Sequence, residues 1–107
     1  MRNRFMRLIV FFDLPVETAV QRKSYRQFRK FLIKDGFLMM QESVYSKMVL
    51  DGSSADAVLA RLRKHRPSQG LVQVLKVTER QFADIEEITG SRRNSSVVDS
   101  NDRVIVL

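Results

Sequence analysis

A chain of 107 residues, 44% hydrophobic and 29% charged, has the size of one domain around one core. It contains no cysteine and a single histidine, which excludes disulfide staples, thiolate zinc sites, iron–sulfur ligation, cysteine nucleophiles and a histidine-built metal site. Nineteen Lys and Arg against twelve Asp and Glu leave a net charge of +7, a balance that points to an anionic partner such as nucleic acid.

The excess charge is local. Residues 1–34 carry nine basic groups against Asp13 and Glu17, a net of +7, while residues 35–66 net +1 and residues 67–107 net −1. Basicity confined to one third of the chain favours a binding surface over general solubility. The longest apolar run, Leu8 to Phe12, lies between Arg7 and Asp13 and is far short of the roughly 20 residues of a membrane helix. It is also too short for a signal peptide and ends in Asp13-Leu14-Pro15, so a cytoplasmic protein with no membrane partner is expected.

In chain order, Phe5 to Phe12 is an almost unbroken apolar, β-branched and aromatic run, the pattern of a central strand covered on both faces. Pro15 stops it. Thr18 with Gln21 three positions on makes a capping box for a helix that runs to Asp35-Gly36. Val16, Val20, Phe28, Phe31 and Leu32 are expected on its packed face, with Arg22, Arg26, Arg29 and Lys30 on another. Phe37 to Met40 and Ser43 to Leu50 read as a strand pair, with Met39 and Met40 filling the core, and Asp51 to Ser54 as a turn. Ala55, Val58, Leu59 and Leu62 then give helical spacing up to a basic end at Arg61, Arg63, Lys64 and Arg66, closed by Pro67.

Leu71 to Val77 is a fourth strand, followed by a short helix over Glu79 to Ile88. The order predicts an α+β, ferredoxin-like βαββαβ fold: a four-stranded antiparallel sheet under two helices, occupying residues 1–89. Residues 90–107 read as a polar linker and an extra C-terminal strand, Arg103 to Leu107. Such a strand can add to a sheet edge of this chain or of a second copy, which makes a homodimer the expected assembly.

Several residue types invite chemistry. Asp13 ends a strand just before a proline, a place suited to an Asx turn or helix-start acceptor and equally to a carboxylate for a hard cation. Arg22, Lys23 and Arg26 are the candidate phosphate contacts. The strand aromatics Phe11, Phe12, Phe37 and Tyr45 read as core rather than as base-stacking platforms. An RNA-recognition domain shares the element order but needs a Lys/Arg-Gly-aromatic signature on its third strand, and Ser43 to Leu50 has no glycine. The four glycines are too far apart to form a phosphate loop.

Phe11-Phe12-Asp13-Leu14 at the end of the first strand, a basic first helix ending at Gly36, and Gln41-Glu42-Ser43-Val44-Tyr45 together resemble the small CRISPR-associated adaptation proteins. These are the non-integrase subunits of the spacer-acquisition complex, described as metal-dependent endonucleases. The resemblance covers the whole chain and implies a homodimer in which Asp13 and its symmetry mate face a shared cleft that holds Mg2+. It further implies bridging of the CRISPR integrase, binding of duplex DNA without base readout, and cleavage of RNA or DNA with Asp13 as catalytic and metal-binding residue. Two carboxylates drawn together repel unless a cation lies between them, so the magnesium site is expected to be weak and pH-sensitive. Two other functions fit the same residues: a toxin-like ribonuclease of this fold, and a purely structural DNA-binding adaptor without catalysis.

Overall fold

The structure, a computed structural model, describes residues 5–90. Arg2, Arg4, most of the expected linker and the expected C-terminal strand lie outside them. Four strands, β1 (Met6–Asp13), β2 (Leu38–Gln41), β3 (Val44–Val49) and β4 (Leu71–Thr78), form one antiparallel sheet in the order β2-β3-β1-β4. Helices α1 (Ala19–Lys34) and α2 (Gly52–Lys64) supply the connections β1 to β2 and β3 to β4, and α3 (Glu79–Ala83) follows β4 directly. This is the ferredoxin-like α+β arrangement that the order of elements predicts.

The core lies between the sheet and the two long helices. Leu8, Val10 and Phe12 alternate along β1 toward that layer and pack with Tyr45, Phe28, Leu32, Val58 and Leu62 in one buried cluster. Phe12 meets Phe28 edge to face at 5.3 Å and Tyr45 at 5.6 Å, and the Tyr45 hydroxyl accepts a hydrogen bond from Arg29 Nε at 2.9 Å. The phenolic oxygen thereby has a donor at the edge of the core.

Local chemistry fixes the helix ends. The Thr18 hydroxyl accepts from Gln21 N–H at 3.1 Å, and the Gln21 amide oxygen accepts from Thr18 N–H at 3.0 Å, completing the expected capping box. At the other end Gly36 has φ +100° and donates to Ile33 C=O, while Phe37 N–H donates to Leu32 C=O at 2.9 Å. This paired Schellman closure needs a left-handed residue at position 36, and the buried Phe37 and Leu32 add the apolar contact that accompanies it. Asp51 to Ser54, expected as a turn, is the start of α2 instead: the Asp51 carboxylate accepts from Ser54 N–H at 2.9 Å, so the polar cluster is a helix cap.

Several expectations change, among them Val16, expected on the packed face of α1 but 48% exposed before the helix begins. The face of β1 opposite the helices is only partly covered: Ile9 is buried there, whereas Phe11 and its neighbours Leu38, Met48, Leu71 and Leu75 are exposed on that side. Val20 is 78% exposed, because it lies about 80° around α1 from Phe28 and in the first turn; Tyr25 packs in its place. Met39 is exposed, beside a register shift between Met39 and Gln41 that bends β2 at the sheet edge. The helix expected over Glu79 to Ile88 is shorter, closing at Asp84.

Candidate functional site

Asp13 is the last residue of β1. The β3 ladder stops two residues earlier, at Phe11 opposite Val44, with one further bond from Phe12 N–H to Ser43 C=O at 3.1 Å. The β4 ladder continues to Asp13 opposite Leu71, so at this position the strand is held from one side. Alternation places Asp13 on the open face together with Phe11, Ile9 and Arg7. The carboxylate is exposed and, among the described residues, enters no hydrogen bond or ion pair.

Gly70 closes against this strand end. Its φ is +93°, and a Cβ built there would stand 2.7 Å from the Asp13 carbonyl oxygen, 2.7 Å from Leu14 Cδ2 and 3.0 Å from Leu14 Cα. Neighbouring Gln69 accepts from Gln21 Nε2 at 3.1 Å, tying the loop to the start of α1. At the opposite end of the open face Arg7 holds Glu79 through two hydrogen bonds, 2.8 and 2.9 Å, and its guanidinium lies 4.3 Å over the Phe82 ring, which fastens α3 beside β1.

A hard divalent cation takes oxygen ligands, and magnesium typically keeps several waters while using one or two carboxylates together with substrate phosphates. Asp13, exposed and uncommitted, fits that sparse donor set. Among the described residues no cluster of three His, Cys, Asp or Glu could hold a metal ion, so one chain offers no closed cation cage.

The basic residues separate into two groups once their partners are known. Arg7 is spent on Glu79, Arg29 on Tyr45, and Lys47 and Arg61 on Asp35. Burial alone would push the Asp35 carboxyl up; the Arg61 hydrogen bond and the Lys47 and Arg61 charges outweigh it and hold the group below the usual carboxylate value. Arg22 Nη1 donates to the carbonyls of Val16 at 3.1 Å and Glu17 at 3.0 Å, bracing the turn before α1.

Lys23, Arg26, Lys30 and Lys34 make no hydrogen bond or ion pair among the described residues, and all four are exposed. At 100° per residue they fall within an arc of about 80° opposite the buried stripe of Phe28 and Leu32. Lys64 occupies the equivalent outward position of α2, opposite Ala55, Val58 and Leu62. The two helices are joined above the core by Phe31 stacked on His65, centroids 4.3 Å apart, and by Arg61 on Asp35 at 2.7 Å.

Of the residues singled out in the sequence, Lys23 and Arg26 thus lie together on this free ridge, Arg22 lies at its border with one nitrogen engaged, and Asp13 lies on the other side of the sheet. Sequence reasoning missed Gly70, whose signal is its position just before a strand. It also gave no separate weight to Lys34 and Lys64, whose heptad-like and outward spacing was readable.

The family model for "CRISPR associated protein Cas2" matches residues 6–85 of this chain. A protein of Treponema denticola named CRISPR-associated endoribonuclease Cas2 is 48% identical over 102 residues, covering 95% of this chain and 100% of that protein. A Streptococcus mutans protein of the same name is 46% identical over 95% of this chain and 93% of its own length. A crystal structure of Cas2 at 17% identity superposes with a TM-score of 0.60 over 91% of this chain and 99% of that one, which supports the fold. With the family pattern spanning β1 to the end of α3 and relatives aligned over nearly the whole chain, the protein belongs to the CRISPR-associated Cas2 family.

Proposed function

We propose that this protein is the non-integrase subunit of CRISPR adaptation: a homodimer that binds duplex DNA through its phosphates without base readout, bridges the CRISPR integrase for spacer acquisition, and cleaves phosphodiesters at a magnesium site built on Asp13. The observation that carries the reading is the place of Asp13, a carboxylate at the end of the central strand with no partner among the described residues, on a sheet face that exposes Phe11, Leu38, Met48, Leu71 and Leu75. A contiguous apolar face of this kind is suited to a second copy of the chain. A two-fold axis through it would give each Asp13 a symmetry mate.

In this dimer the two Asp13 carboxylates would hold the cation, and Mg2+ would supply Lewis-acid charge to a phosphate oxygen. Phe11, two residues before Asp13 on the same face, lends apolar area to that interface. The relatives are named endoribonucleases, so RNA is the first nuclease substrate to test. Lys23, Arg26, Lys30, Lys34 and Lys64 take the duplex backbone, with Arg22 at the border of that footprint. Phosphate contacts position a duplex and carry no sequence information, as an acceptor of arbitrary captured DNA requires.

A second reading, a structural DNA-binding adaptor without catalysis, is favoured by one observation: among the described residues there is no cluster of three metal-binding groups around Asp13 or elsewhere. Pull-down with the CRISPR integrase followed by integration of a labelled duplex separates the two. Wild type, Asp13→Asn and Lys23/Arg26 charge removal are compared, alongside cleavage of RNA by the purified proteins. Loss of Mg2+-dependent cleavage in Asp13→Asn supports the nuclease reading. Unchanged cleavage by that variant ends it, and normal integration by Asp13→Asn with failure on charge removal makes the protein a scaffold.

A further inference from the structure

We propose that Gly70 is the positioning residue for Asp13: the side-chain-free approach of the α2–β4 loop to the end of β1 sets where the carboxylate stands, and hence how well it takes Mg2+. The inference rests on Asp13 being the metal-binding carboxylate.

Beyond Phe11 the β3 ladder has ended, so the backbone of Asp13 is registered against Leu71 of β4, the residue that Gly70 leads into. Gly70 reaches that position with φ +93°, and the place a Cβ would take lies against the Asp13 carbonyl and Leu14. A Cβ at 2.7 Å from the Asp13 oxygen must open by about 0.7 Å to reach the 3.4 Å of ordinary contact. Leu71 is paired to Asp13, so the gap opens either by moving Asp13 or by breaking that last pair, and both displace the carboxylate. The Leu14 side of the pocket cannot absorb the change freely, because Leu14 is itself buried in the core cluster.

Magnesium demands near-ideal octahedral geometry at about 2.0–2.1 Å, whereas calcium tolerates irregular coordination at about 2.3–2.6 Å. A carboxylate moved by several tenths of an ångström therefore loses more affinity for Mg2+ than for Ca2+. This difference separates positioning from a general loss of structure.

The test titrates MgCl2 and CaCl2 into the 15N-labelled full chain and follows amide shifts around Asp13, for wild type, Asp13→Asn, Gly70→Ala and Gly70→Asn. Asp13→Asn is expected to abolish the Mg2+ response. Gly70→Ala is expected to weaken Mg2+ binding about tenfold or more, the usual range for removing a support behind a ligand, and Ca2+ binding less. Gly70→Asn accepts positive φ yet carries the same Cβ, so it should match Gly70→Ala; wild-type behaviour of Gly70→Asn would trace the effect to backbone strain and overturn the positioning contact. Mg2+ affinity within twofold of wild type in both Gly70 variants also overturns the inference, as does an equal loss of Mg2+ and Ca2+ affinity. A wild-type response in Asp13→Asn removes the metal role of Asp13 itself and the Gly70 inference with it, a failure distinguishable from the others by that control.

Should Gly70→Ala not fold, Gln69→Ala carries the test, since it frees the residue before Gly70 from Gln21. Loss of one exposed neutral hydrogen bond is expected to weaken Mg2+ binding about threefold, and unchanged affinity then overturns the proposal.

Discussion

The division of cations into free and committed groups gives opposite outcomes for two neighbours on α1, Lys23 and Arg22. Lys23 stands on the outward ridge with no partner among the described residues, whereas Arg22 already donates to two main-chain carbonyls at 3.0 and 3.1 Å. The ridge from Lys23 to Lys34 is about 16 Å long at 1.5 Å per residue. Over that length a duplex presents a phosphate every 1.7 Å or so, so the number of protein cations limits the contact count. Each phosphate neutralised contributes about −0.9 to the slope of log affinity against log salt. Lys23→Gln combined with Lys30→Gln should therefore flatten the slope by about 1.8 for every protomer that touches the duplex, equally for two unrelated DNA sequences. Arg22→Gln should leave the slope nearly unchanged and instead loosen the turn before α1, at a cost of about 1 kcal/mol in unfolding free energy. Fluorescence anisotropy of a labelled duplex between 50 and 200 mM salt, paired with urea unfolding, reads both. A slope that flattens as much for Arg22→Gln as for the lysine pair, or one that ignores the lysines, would refute the assignment.

Three further outcomes follow from packing and charge. Asp35→Asn should destabilise by about 1.5–3 kcal/mol at neutral pH, the worth of hydrogen bonds to charged partners. Because the folded-state carboxyl lies below its unfolded value of 3.8, that stability is present above 3.8 and disappears as pH falls through the folded value, so wild type and variant should converge in acid unfolding. Tyr45→Phe should cost about 1 kcal/mol by orphaning Arg29, with duplex affinity unchanged in the same anisotropy assay. Phe12→Ala should cost about 3–5 kcal/mol and Val20→Ala less than about 0.5, as read by thermal melting.

Elements with local causes were readable from the residues alone. Thr18 with Gln21, and Gly36 before an apolar residue, announce a helix start and stop within a few positions, and both form as expected. Where two local causes share one signature the reading failed: Asp51 to Ser54 has the composition of a turn and of a helix cap, and the cap won because Asp51 faces the free Ser54 N–H. An apolar β1 is likewise compatible with two covered faces or with one covered and one open apolar face, and periodicity cannot tell them apart. The candidate site needed distance information that spacing does not contain. Arg7 meets Glu79 across 72 positions and Arg61 meets Asp35 across 26, so which cations remain free is a property of the fold. Gly70 becomes meaningful only when β4 is laid against Asp13.

The two proposed activities sit on opposite sides of the sheet. Asp13 opens onto the apolar face, while Lys23, Lys30 and Lys64 crown the helix layer, with the buried cluster of Phe12, Phe28 and Leu32 between them. If copies pair through their open faces, the basic ridges point outward, and the doubled charge forms two separate surfaces. Sites separated by a packed core and sharing no partner add within about 0.3–0.5 kcal/mol. The effects of Asp13→Asn and of Lys23→Gln/Lys30→Gln on integration efficiency should accordingly multiply in the triple variant, each acting as it does alone. A triple variant no worse than the more damaged parent would mean that one bound strand runs from the ridge around the sheet edge to Asp13, joining cleavage and duplex holding into one site.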